Sequence, residues 1–559
     1  MEATPSQIIN LNPLSITGMY QVKQETLSLT TRDGIRLDAD VYRPDSTESF
    51  PILLMRQPYG RRIASTVVYS HPIWYASHGY IVVIQDVRGR GTSQGNFDLF
   101  TNEIKDGFET INWISQLPGS TGMVGMYGFS YQGMTQLYAA SSQPKALKTV
   151  CPSMVAYDLY HDWGYENGAF CLQTNLGWAI QLAAETARLK GDSNAFHKLY
   201  EASRNLPLSD PIFAYPNLMK EVAFNSFYHD WINHSYPDDY WSNLSPKKFI
   251  DKLDLPMLHI GGWFDPYLRG NLNLYNAMKS HSNYPQNLII GPWGHIPWGS
   301  KLGSQNYTKS ACSFIDQYQI DWFDHFLKGK EIDYLYSQPV SLFEMGTNKW
   351  KYSQNWTNKE EKNYYIFSQG LGNIKEDDGQ LINTIPDNNI NDIIVHDPWR
   401  PVPSLGGHAS IPSGSFERSQ LDNRFDILTY TSEKLTEDLL IKGTPFMEIY
   451  CTADTVSFDI SIILSEVKPD GKVYNFSQGY YRIECEQLPI KIPLQPTCIK
   501  ITQGNCLRIS ISGACFPAYA LNTGTGKLPY EERLIDAKVI TIKVWSQLDQ
   551  ISKIILPIN

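Results

Sequence analysis

Val124-Gly125-Met126-Tyr127-Gly128-Phe129-Ser130-Tyr131-Gln132-Gly133 is the stretch whose reading decides the fold. Its first half is a short apolar run of the kind that forms a buried strand, and a helix-compatible stretch, residues 132–140, follows at once. Ser130 therefore falls on a strand-to-helix turn. A sharp turn of this kind lifts the serine hydroxyl out of the sheet and needs small neighbours, because the backbone is crowded there. Gly128 and Gly133 give that room. The usual pattern places glycine two residues after the serine, where this chain has Gln132, so the motif alone leaves an ordinary turn serine open.

Working outward, residues 51–55, 80–85, 147–151, 255–260 and 287–290 also read as short buried strands, with a helical stretch at 103–116. Strands alternating with helices predict a mainly parallel sheet covered on both faces. Residues 20–42 alternate, break at Asp33-Gly34 and alternate again, the signal of an opening hairpin. After Met154 the alternation stops for roughly 95 residues that include helix-compatible runs at 176–190 and 195–204. Beyond about Glu344, Val, Ile, Thr and Tyr alternate between Gly, Pro, Asn and Asp turns, which predicts an all-β domain, sandwich or jelly roll. The polar stretch 375–391 reads as a surface loop.

At 559 residues the chain calls for two or three domains, and its 42% hydrophobic and 19% charged residues are those of a globular protein. A net charge of -10 with no basic run disfavours nucleic acid as a partner. No segment reaches roughly 18 uninterrupted apolar residues, so no membrane span is expected. The start Met1-Glu2-Ala3-Thr4-Pro5 has neither the charged nor the apolar region of a secretory leader, and a cytoplasmic location is expected. Eight scattered Cys, with no CxxC pair and no metal-ligand spacing, read as reduced core thiols.

A serine hydroxyl attacks poorly unless a base takes its proton, and the base works best when a carboxylate fixes its tautomer. In a parallel sheet such groups gather past the carboxyl ends of strands, in the chain order Ser, Asp, His. Asp265 follows Leu258-His259-Ile260-Gly261-Gly262-Trp263-Phe264, and His295 follows Leu288-Ile289-Ile290-Gly291-Pro292-Trp293-Gly294. Among the 12 His, His259 lies inside a strand, and His161, His229 and His234 fall in the strandless insertion. An oxyanion formed at Ser130 needs donors. The Tyr131 N–H is the first, and Met55-Arg56-Gln57-Pro58-Tyr59-Gly60, in the loop after the third strand, offers the Tyr59 phenol, which could equally be a packing tyrosine. The run Gly89-Arg90-Gly91-Thr92-Ser93-Gln94-Gly95 has neither GxGxxG nor P-loop spacing and reads as a structural turn.

Ordered blocks spanning nearly the whole chain resemble the CocE/NonD family of serine hydrolases, which is related to the X-Pro dipeptidyl-peptidases. They are Arg56-Gln57-Pro58-Tyr59, Asp86-Val87-Arg88-Gly89-Arg90-Gly91-Thr92-Ser93, Gly128-Phe129-Ser130-Tyr131-Gln132-Gly133, Gly262-Trp263-Phe264-Asp265 and Gly291-Pro292-Trp293-Gly294-His295. Two more are Asp321-Trp322-Phe323-Asp324-His325-Phe326-Leu327-Lys328-Gly329 and Asp397-Pro398-Trp399-Arg400-Pro401-Val402-Pro403-Ser404-Leu405-Gly406-Gly407. The family's serine motif has the form GxSYxG, which makes Gln132 regular.

The resemblance implies an α/β-hydrolase domain (1–153 and 249–345), a helical cap inserted after the sixth strand (154–248) and a C-terminal jelly-roll β domain (346–559). It implies catalysis by Ser130, Asp265 and His295, with Tyr59 and Tyr131 as the oxyanion hole and no metal or organic cofactor. The expected activity is cleavage of a small-molecule ester or amide. Acyl transfer or amidase/peptidase chemistry with the same residues, and a non-catalytic glycan-binding protein, are the alternatives. Amino-acid ester hydrolases of the family carry carboxylates just after the catalytic aspartate to hold a substrate ammonium. This chain has Pro266-Tyr267-Leu268 there, which disfavours an α-amino acyl group. Trp163, Trp178 and Tyr267 match positions that line the acyl pocket of relatives and imply an apolar or aromatic acyl group. The oligomeric state, homo-oligomer included, stays open.

Overall fold

The computed structural model describes residues 18–63, 66–358, 360–375, 377–386, 389–484 and 487–558. The first five residues, on which the leader reading rests, lie outside them. The strands of the first sheet are β1 (Val22–Thr30), β2 (Arg36–Pro44), β3 (Phe50–Gln57), β4 (Ile81–Asp86), β5 (Ser120–Phe129), β6 (Leu147–Ser153), β7 (Met257–Phe264), β8 (Gln286–Gly294), β9 (Val340–Glu344) and β10 (Lys349–Ser353). They lie in the order β1-β2-β4-β3-β5-β6-β7-β8-β9-β10. From β4 to β9 every neighbouring pair is parallel, and β1, β2 and β10 join antiparallel.

The reason is legible in β3, β4, β7 and β8, where every residue is buried, as a parallel strand covered on both faces requires. Helices α1 (Glu103–Ile114), α2 (Tyr131–Ser141), α4 (Leu268–His281) and α5 (Ile315–Lys328) supply the cover. The expected hairpin is β1–β2, in register from Val22 opposite Pro44 to Thr30 opposite Arg36. The sheet also runs on past residue 345 into β10, whose alternating pattern the sequence reading had grouped with the later β region.

Between β6 and β7 lie α3 (Leu172–Lys190), a second long helix Ser193–Arg204 and three short ones. The two long helices start at 172 and 193, earlier than the apolar spacing places them, because Cys171 gives no side-chain cap to mark the first. Asp192 caps the second by accepting the Ala195 N–H at 3.0 Å. The segment also holds a small hairpin, Tyr165–Glu166 with Ala169–Phe170.

The rest of the chain forms a connected 13-stranded sheet system, antiparallel but for one parallel pair, Gln380–Ile382 with Ile427–Ser432. That first strand lies inside the polar stretch expected to be a surface loop. Its single buried residue, Leu381, is too weak a periodic signal to reveal it.

One apolar cluster continues from Trp263, Phe264 and Ile290 at the end of the first sheet into Ile441, Met447 and Ile499 of the β region. Nearby, Glu166, Arg269, His408 and Tyr519 meet in a buried charged junction. Arg269 pairs with Glu166 at 3.0 Å, His408 Nε2 lies 2.9 Å from the same carboxylate and the Tyr519 hydroxyl donates to it at 2.6 Å. Among the described residues no helix is long and apolar enough to cross a membrane, and Cys151, Cys171, Cys312, Cys498, Cys506 and Cys515 form no disulfide.

Candidate active site

Ser130 follows the last residue of β5 and caps α2. Its backbone sits at φ 60° and ψ -128°, a region that costs a non-glycine residue about 1–3 kcal/mol and persists only where the surroundings enforce it. The turn is held by the Ser130 N–H on the Ser153 carbonyl at 2.9 Å and by the Met134 N–H on the Ser130 carbonyl at 3.0 Å. A Cβ on Gly133 would come within 2.4 Å of Val155, and one on Gly128, at φ 139°, within 2.5 Å of Gln132, so both neighbours must be glycine. Gln132 turns inward: it accepts the Phe129 N–H at 3.3 Å and its amide donates to Gln57 at 3.4 Å, tying the turn to β3. Tyr131 is the first residue of α2, so its N–H has no acceptor inside the helix, and its ring is pinned away by a 2.8 Å bond from the hydroxyl to Glu103.

Asp265 directly follows β7 and His295 directly follows β8, at the same edge of the sheet as Ser130. His295 Nδ1 lies 2.8 Å from Asp265 Oδ1. Asp265 is fully buried and His295 is 28% exposed along its side chain. Burial pushes the Asp265 carboxyl up and the His295 contact pulls it back, with a net rise. Its second oxygen accepts the Tyr267 N–H at 3.2 Å. Gly262 lets the ends of β7 and β8 approach, since a Cβ there would stand 2.4 Å from the Trp293 carbonyl. The His295 ring packs 5.3 Å from Phe129, the residue before the serine, and edge-on at 5.0 Å to Tyr267. Among the described residues no direct hydrogen bond joins Ser130 to His295, and bonds of this type often tighten only with substrate.

Tyr59, two residues past β3, faces the same space. Its hydroxyl accepts the Trp178 indole N–H at 3.0 Å. Burial raises its pKa to about 12, against the opposing pull of Trp178, Ser130 and the Arg90 guanidinium. Trp178 packs on Trp163 at 5.2 Å, Trp163 on Tyr267 at 4.1 Å and Tyr267 on His295, so an aromatic wall runs from Tyr59 to the histidine. Phe227 and Trp231 back it.

All eight residues singled out by sequence are thus brought to one place. Three others were missed: Glu166 and Arg269 behind the wall, whose pairing across about a hundred residues leaves no local pattern, and Arg90. Arg90 lies in the turn read as purely structural, yet it is buried against Phe97 and bonded to the Leu182 carbonyl at 3.1 Å. Its unusual place inside GRG, a cation among glycines, is the signal that could have found it.

Residues 33–297 match the model of the X-Pro dipeptidyl-peptidase (S15 family), and residues 336–544 that of the X-Pro dipeptidyl-peptidase C-terminal non-catalytic domain. The chain is 27% identical to cocaine esterase of Rhodococcus sp. (strain MB1 Bresler), over 97% of this chain and 99% of that one. Among solved structures it resembles an α-amino acid ester hydrolase (TM-score 0.78, 21% identity, all of both chains) and a CocE/NonD family hydrolase from Staphylococcus aureus (TM-score 0.68, 16% identity, 96% and 94% covered). At these identities the two structures speak to fold alone.

Fold and comparisons together define a serine hydrolase of the α/β-hydrolase type with a β-rich C-terminal region, the class that cleaves esters and amides. Two domains of the X-Pro dipeptidyl-peptidase type, catalytic at 33–297 and C-terminal at 336–544, thus follow one another in a chain homologous to cocaine esterase along its length.

Proposed function

We propose that this hydrolase cleaves a carboxylic ester or amide with an apolar or aromatic acyl group through an acyl-enzyme on Ser130. The observation that carries the reading is the convergence of Ser130, Tyr59, Asp265 and His295 past the carboxyl ends of four parallel strands, with the acid and the imidazole 2.8 Å apart. His295 takes the Ser130 proton as the hydroxyl attacks the carbonyl carbon and returns it to the leaving group. Asp265 keeps Nδ1 protonated and stabilises the imidazolium. Water then repeats the attack on the acyl-enzyme, and the scheme needs no metal or organic cofactor.

The tetrahedral oxyanion is held by the Tyr131 N–H and the Tyr59 hydroxyl. Because Tyr59 accepts the Trp178 indole proton, its own O–H is left to donate, and a pKa of about 12 keeps that proton in place at neutral pH. Trp163, Trp178 and Tyr267 bind the acyl side. Two buried carboxylates border the far side of that wall, around a cavity of about 10 Å³, room for roughly one water. Asp162 accepts the Tyr157 and Asp158 N–H groups, and Glu166 is taken by Arg269, His408 and Tyr519. Neither is free to anchor an ammonium, which supports an uncharged acyl group. The reading includes a cap at 154–248, a jelly roll that begins after the Lys349–Ser353 strand of the first sheet, and a cytoplasmic location, the last supported by the thiols of Cys151, Cys171, Cys312, Cys498, Cys506 and Cys515.

The test is turnover of p-nitrophenyl phenylacetate and its α-amino counterpart, p-nitrophenyl phenylglycinate. The wild type is expected to prefer the phenylacetate, and Tyr59→Phe to lose roughly 100- to 1,000-fold in kcat, the usual cost of one oxyanion donor. Failure to hydrolyse any p-nitrophenyl ester, or full activity of Tyr59→Phe, would sink the proposal.

A further inference from the structure

The C-terminal β region reaches into the acid turn of the site. Gln495, between strands Ile490–Pro493 and Thr497–Ile501, is 2% exposed and points its amide at β7. Nε2 donates to the Asp265 carbonyl at 2.8 Å and lies 3.4 Å from the Trp263 carbonyl. Its own backbone is fixed from both sides, its N–H on the Gln478 carbonyl at 2.7 Å and its carbonyl accepting the Ser477 hydroxyl at 2.6 Å. The donor therefore stands in a short connection between two strands of another part of the chain, its backbone tied to the neighbouring strand Val473–Ile483.

The turn it grips is otherwise lightly held. The Asp265 N–H reaches the Gly262 carbonyl at 3.1 Å, and the Asp265 carbonyl accepts the Leu268 N–H at 3.3 Å, longer than the bond from Gln495. A carboxylate on so short a side chain follows its backbone, so a tilt of the Asp265 peptide moves the oxygen that faces His295. Misplacements of the order of 1 Å in such groups cost about 100-fold in rate.

We infer that Gln495 is a positioning residue for the Asp265–His295 pair, so that the region matched by a domain model described as non-catalytic sets the turnover rate of the site. This rests on the proposed roles of Asp265 and His295. The amide fixes the acid turn from outside the hydrolase sheet, and the carboxylate meets Nδ1 without a search over backbone tilts.

The experiment is a double-mutant cycle of Gln495→Met with Asp265→Asn, read by kcat and KM for a p-nitrophenyl ester and by the rate of fluorophosphonate labelling. Methionine keeps the volume and removes the donor; Gln495→Glu, which also keeps the volume, is the second variant should the first not fold. In the wild-type background kcat is expected to fall about tenfold with KM within about twofold. In the Asp265→Asn background the same change should do nothing further, because its route to the chemistry is already cut. An unchanged kcat, or an equal fall in both backgrounds, overturns the inference. If Asp265→Asn alone leaves kcat intact, the reading of the site fails first and takes the inference with it.

Discussion

Asp265→Asn is expected to lower kcat by about 10⁴-fold while KM moves within a few-fold. The substitution preserves shape and burial but replaces an acceptor by an amide that can present N–H to His295 Nδ1. The imidazole then settles with its proton on Nε2, the nitrogen that must receive the Ser130 proton. In serine proteases the same change has about this size. Because Asp265 is fully buried, solvent does not stand in for the lost acceptor. Steady-state kinetics on a p-nitrophenyl ester, with circular dichroism to confirm the fold, checks it. A kcat within tenfold of wild type would contradict the role of Asp265.

The second large effect falls on stability. Glu166 is buried, and although burial alone would raise its pKa, Arg269 and His408 outweigh that and hold it down to about 2. Replacing it by Gln leaves the Arg269 guanidinium without its counter-charge in a 3.0 Å contact, and breaking a buried pair from one side costs about 3–5 kcal/mol. A fall in Tm of roughly 3–4 °C at pH 7 is expected for a chain of 559 residues unfolding as one unit. The sign with pH follows from the depressed value: the ionised group contributes fully above its unfolded pKa of about 4.3 and loses its contribution as pH falls toward 2. The Tm gap between wild type and Glu166→Gln should therefore narrow below about pH 4. A gap that is absent at pH 7, or that widens in acid, would contradict the assignment.

The parallel sheet was legible because β3, β4, β7 and β8 are buried throughout and punctuated by helices, and the site because Ser130, Asp265 and His295 each stand one residue past a strand end. What hid was whatever depends on pairing between distant parts. β9 and β10 complete the first sheet although β10 alternates like the β strands that follow it. Gln495 is a lone polar residue in a β stretch, and only its position opposite the Asp265 carbonyl, 230 residues away in the chain, gives it meaning. Trp178 reads as part of a pocket wall through the family resemblance. Its indole N–H on the Tyr59 hydroxyl adds an orienting task that no spacing could announce.

The central claim is that Ser130 is the nucleophile, and the most direct measurement is peptide mapping by mass spectrometry after treatment with a fluorophosphonate. The account predicts one phosphonyl group per chain, carried on Ser130, with no labelling of Ser130→Ala. An adduct on another residue, undiminished labelling of Ser130→Ala, or a wild-type protein that takes up no label would contradict it.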